Sequence, residues 1–74
     1  MSGIGVDKKV RFGKPIIKGT RVTVDEIMGA LSSGMSFEEI ENEYKIKRTD
    51  ILAVLKYATE LISEERIGII SVSQ

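Results

Sequence analysis

The chain has 74 residues, 42% of them hydrophobic and 30% charged, with a formal net charge of zero and neither cysteine nor histidine. That length makes one domain, residues 1–74, whose core would bury only roughly 60–65% of the surface exposed on unfolding; disulfides, the usual zinc sites and imidazole catalysis are all excluded. No apolar run approaches a membrane span and the N-terminus has no signal-peptide core, so the expectation is a cytoplasmic protein without metal or cofactor, stabilised by pairing into a homodimer.

The charges are segregated. Residues 1–21 carry Lys8, Lys9, Arg11, Lys14, Lys18 and Arg21 against Asp7 alone, a net of +5. Residues 22–44 hold Asp25, Glu26, Glu38, Glu39, Glu41 and Glu43 with no basic residue, a net of −6. A neutral chain so divided suits local contact with phosphate or association of opposite patches.

Residues 1–22 read as an extended β arm. Val10 and Phe12 alternate with Arg11, and Val22 and Val24 with Arg21 and Thr23, the period of a half-buried strand. Pro15 cannot donate a ladder hydrogen bond and belongs at an edge or bend, while Gly13 and Gly19 can supply the positive φ of turns. Such a hairpin is marginal alone and its open edges invite pairing. Exchange of the arm between two chains would bury Val10, Phe12, Ile16, Ile17 and Val22; the competing arrangement folds the arm onto its own helices.

Residues 23–66 read as three helices. Thr23 with Glu26 forms a capping box, and Val24, Ile27, Met28 and Leu31 make one apolar stripe ended by Gly34. Ser36 with Glu39 is a second capping box, with Met35 and Ile40 placed as a hydrophobic staple and Phe37, Ile40 and Tyr44 as the apolar side. The third helix carries Ile51, Val54, Leu55, Ala58, Leu61 and Ile62 at helical period. Its start is open between Lys47, a poor cap that an Ile46–Ile51 staple would flank, and Thr49. Gly68 breaks the pattern, and residues 67–74 look β-prone.

A short capped helix, a brief turn and a longer amphipathic helix make the helix-turn-helix pattern, whose second helix presents its N-terminal residues to the DNA major groove. The expected fold is mainly α, a three-helix homeodomain-like core with a short N-terminal β-hairpin arm. Arg48 is the base-reading candidate, since arginine can engage guanine bidentately; Lys47, Thr49 and Lys56 are phosphate contacts. Helical hairpins of this size also occur in proteins that never meet DNA.

Several motifs agree in order with one family. Gly13-Lys14-Pro15, Gly19-Thr20-Arg21, Ser33-Gly34-Met35-Ser36, Glu38-Glu39-Ile40, Asp50-Ile51 and Tyr57-Ala58 together resemble the bacterial and archaeal family known as domain of unknown function 433, over roughly residues 7–62. The resemblance implies a homeodomain-like helix-turn-helix fold and a role as an antitoxin encoded beside a PIN-like ribonuclease toxin. Relatives often place Ser or Thr where this chain has Lys47.

The glycine-rich segment is not a phosphate loop. A Walker loop encloses four residues between its glycines and continues Lys-Ser/Thr, whereas Gly13 and Gly19 enclose five and continue Thr20-Arg21. Catalysis has no nucleophile–base pair to rest on, and Asp25, Glu26 and Glu39 sit where helix dipoles favour acids; no enzymatic activity is expected. Two binding functions remain: a DNA-binding antitoxin or autoregulator acting on operator DNA, or a protein-interaction module that does not touch DNA.

Overall fold

The starts of the first two helices follow from the local signals, and a two-stranded sheet precedes them. The computed structural model describes residues 3–73, with side-chain surroundings for residues 3–63. In chain order it has β1 (Ile4–Val6), a tight turn at Arg11–Gly13, β2 (Pro15–Ile17), α1 (Val24–Ser32), α2 (Phe37–Tyr44) and α3 (Arg48–Ser73). The fold is mainly α, with a short antiparallel hairpin at the N-terminus as expected.

β1 and β2 pair with Ile4 opposite Ile17, Gly5 opposite Ile16 and Val6 opposite Pro15. Pro15 thus opens its strand, a position where its missing N–H costs least. The strands are not where alternation put them. Val10 and Phe12 lie in the connection, and Arg11, Phe12 and Gly13 all take positive φ (51°, 60° and 80°). Alternation over three residues is too short to distinguish a strand from a turn.

The segment from Gly19 to Arg21 is structural. Gly19 has φ of 82° after a residue of negative φ, as the third position of a type II turn requires, and the Thr20 N–H donates to the Ile17 carbonyl at 3.0 Å. The Thr20 hydroxyl donates to that same carbonyl at 2.8 Å and accepts from the Val22 N–H at 3.0 Å. The chain therefore reverses, Ile16 bridges back to Thr23, and α1 begins at once.

α1 starts with the full Thr23–Glu26 capping box and α2 with the full Ser36–Glu39 box. α1 closes in a Schellman motif: Gly34 at φ 98° donates to the Leu31 carbonyl and Met35 to that of Ala30, both at 3.1 Å. α2 closes on a left-handed residue as well, but there it is Lys45, at φ 59°.

The core gathers Ile17, Val24, Ile27, Ala30, Ile40, Ile46, Ile51 and Val54, with Val22, Met35 and Leu55 packed against it. Ile16 is buried too. Ile16 and Ile17, assigned to arm exchange between chains, are buried within the single chain, Ile17 in the core cluster, and Val22 is half-buried against that cluster. Leu61 and Ile62, assigned to the core stripe of the third helix, are 46% and 53% exposed.

The third helix also continues through residues 67–73, where a β-prone tail was expected; Gln74 lies outside the described residues. A glycine inside a helix costs only about 1 kcal/mol and does not end it without a following stop signal. Gly68 has none, and extension adds one hydrogen bond per residue to a helix already nucleated.

Candidate nucleic-acid interface

α2 and α3 are separated by three residues, Lys45, Ile46 and Lys47. Ile46 is buried and fastens the turn to the core, which leaves the lysines on either side exposed. The left-handed Lys45 reverses the chain: its N–H donates to the Glu41 carbonyl, as does that of Ile46 at 3.3 Å.

α3 starts at Arg48, which settles the boundary in favour of Lys47 as cap. Lysine offers no capping oxygen, so Asp50 compensates: its carboxylate accepts the Lys47 N–H at 2.9 Å. That is the second half of a capping box without the first. Asp50 is thereby buried, 8% exposed, and its charge is spent on the backbone. The Ile46–Ile51 staple positions are both filled within the core.

The consequence is a positive end. Lys45, Lys47 and Arg48 are all exposed, and the one nearby acid on α3 is turned inward. The Arg48 guanidinium carbon lies over the Phe37 ring, 4.7 Å from its centroid. Phe37 is the first residue of α2, so the contact ties the starts of the two helices and holds the arginine head in one region of the surface.

Thr49 and Lys56, seven positions apart, fall on one exposed face of α3 with Arg48 close beside them. Between them sits Leu52, 48% exposed, which the periodicity reading passed over. Its signal was available: it stands one position off the stripe of buried Ile51 and Val54 and partly buried Leu55. Of the sequence-assigned DNA contacts, the fold brings Lys47, Arg48 and Thr49 together at the start of α3 and sets Lys56 two turns further on.

The arm residues form no comparable cluster. Ile16 and Ile17 are buried, Val10 and Val22 are half-buried, and Phe12 alone stands free, 98% exposed. Below it, Arg11 reaches the start of α1, donating to Glu26 Oε1 at 3.2 Å and to the Arg21 carbonyl at 3.1 Å. Glu26 Oε1 also accepts from the Thr23 N–H at 2.9 Å and the Thr23 hydroxyl at 3.2 Å. The Thr23 backbone bond above all, with the Arg11 charge and the side-chain bonds, holds the Glu26 carboxyl below its ordinary value against a smaller opposing effect of burial.

Among the described residues no group of acids could hold a metal ion, and no helix is long and apolar enough to cross a membrane. No curated protein and no solved structure matches the chain. The family description "Protein of unknown function (DUF433)" matches residues 4–58, a span that takes in the hairpin, α1, α2 and the positive start of α3. The chain therefore belongs to the DUF433 family.

Proposed function

We propose that the chain is a DNA-binding antitoxin or autoregulator, with α2 and α3 as a homeodomain-like helix-turn-helix unit. The observation that carries the DNA reading is the start of α3, where Lys47, Arg48 and Thr49 are exposed together while Asp50 is withdrawn into the cap. In this reading Arg48 addresses a guanine edge, Lys47, Thr49 and Lys56 hold phosphates, and Leu52 meets a thymine methyl. α2 offers exposed acids, Glu38 and Glu43, which repel phosphate and leave α3 as the helix that enters the groove. Neutralisation of a PIN-like ribonuclease toxin rests on the family resemblance alone.

Two copies would read a palindromic site. Because Ile16 and Ile17 are already buried, the exposed Leu61 and Ile62 of α3 are the better support for a homodimer. The same two residues, with the acidic α2, favour the second reading, a protein-interaction module without DNA binding. A mobility-shift assay on the chain's own promoter across a salt series separates the two readings. Specific binding that weakens steeply with salt is expected from the first; absence of any shift at low salt supports the second.

A further inference from the structure

Phe12 is the most exposed large apolar side chain among the described residues, and the α3 reading gives it no task. It stands on backbone that non-glycine residues resist, with Arg11 at φ 51° and Phe12 itself at φ 60°. Strain of this kind persists only where the surroundings enforce it. Here the Gly13 N–H donates to the Val10 carbonyl at 3.1 Å and the Lys14 N–H to that of Arg11 at 3.2 Å. The Arg11 side chain anchors the turn on Glu26 and the Arg21 carbonyl. The ring is thus held out into water on a fixed pedestal.

Its surroundings are cationic. Lys8, Lys9 and Lys14 on the same connection are exposed, as is Arg21, whose carbonyl holds Arg11, and the Lys8 Cα is close enough to meet a Cβ on Gly13 at 3.8 Å. The acids nearby are occupied: Asp7 accepts the Lys9 N–H at 2.9 Å, and Asp25 and Glu26 pair with Lys14 and Arg11 at 3.5 and 3.2 Å. A protein interface would want more apolar surface around such an anchor, and lysine is depleted at those interfaces. Among the described arm residues only Val6 accompanies Phe12 as an exposed large apolar residue. Lysines around one free aromatic ring fit a nucleic-acid strand better, with phosphates for the ammonium groups and a base face for the ring.

We propose that the Arg11–Gly13 turn binds an unpaired base of a nucleic-acid strand, Phe12 stacking on the base while Lys8 and Lys9 contact the flanking phosphates. The site is separate from the start of α3 and does not depend on it. The test is fluorescence anisotropy of the full chain with a labelled oligothymidylate of about 12 nucleotides, within the usual span of single-strand sites. Phe12→Ala should weaken binding about tenfold or more, Phe12→Tyr should bind like the parent, and a Lys47→Ala/Arg48→Ala variant should keep its affinity for the single strand. As Phe12 touches almost nothing in the fold, neither Phe12 variant should lose helical circular dichroism. A parent chain that does not bind the strand, or a Phe12→Ala variant that binds it equally well, overturns the assignment. So does a Phe12→Ala variant that loses only self-association by light scattering, which would make the ring a protein contact.

Discussion

The Arg48 guanidinium lies over the Phe37 ring, 4.7 Å from carbon to centroid, and so joins the first residue of α3 to the first residue of α2. An exposed contact of this type contributes about 0.5–1 kcal/mol. A double-mutant cycle with Arg48→Ala and Phe37→Leu, followed by urea unfolding, should give a coupling energy of that size. Phe37→Leu alone should also weaken operator binding, because the arginine head loses its platform. Zero coupling would mean that the stack contributes nothing to either property.

Lys47 poses stability against function. Replacing it with Ser adds the missing hydroxyl to a cap that Asp50 already half completes, and should stabilise the chain by about 0.5–1 kcal/mol. The same change should weaken binding to all DNA sequences alike and reduce the salt slope by about one. Thermal unfolding and salt-dependent titration of one variant check both halves. A Lys47→Ser protein that is stabilised yet binds DNA with an unchanged salt slope would remove Lys47 from the interface.

Lys45 ends α2 at φ 59°, where a non-glycine residue costs about 1–2 kcal/mol. Lys45→Gly should recover part of that, about 1 kcal/mol, and raise Tm by about 4–8 °C in a domain of this size. A lowered Tm would mean that the lysine side chain supplies more than the backbone strain removes.

Glu26 carries a pH dependence whose sign follows from its depressed carboxyl. A group with a folded pKa below its unfolded value stabilises the fold above the unfolded value, and that contribution is lost as pH falls through the folded one. Stability should therefore decline below about pH 4.5, the ordinary value for the group, and decline less steeply in Glu26→Gln, which keeps a capping acceptor but has no charge to lose. Both acid-denaturation profiles should converge at low pH. Identical slopes would place the acid sensitivity elsewhere.

Much of this fold could be read from local signals, because they were redundant with the packing. Thr23–Glu26 and Ser36–Glu39 mark helix starts by chemistry that acts within one turn, and both boxes close as expected. The arm was harder. Its strand pairing depends on Ile4 finding Ile17 across 13 positions, and nothing local distinguishes Ile4–Val6 from the alternating Val10–Phe12. Lys47 concealed the start of α3, because the capping group belongs to Asp50, three residues later. Exposure of Leu52, Leu61 and Ile62 depends on where neighbouring elements stop, which helical period does not encode. Of the proposed DNA contacts, the adjacency of Lys47, Arg48 and Thr49 was legible, whereas the stacking of Arg48 on Phe37 required the tertiary fold.

Amide chemical-shift mapping of the isotopically labelled chain with a duplex from its own promoter tests the central claim most directly. The expected result is a continuous set of perturbed amides over residues 45–50, with further shifts at Leu52 and Lys56, all reduced as salt is raised. Perturbations confined to α1 or α2, or none at low salt, would contradict the assignment of α3 as the helix that reads DNA.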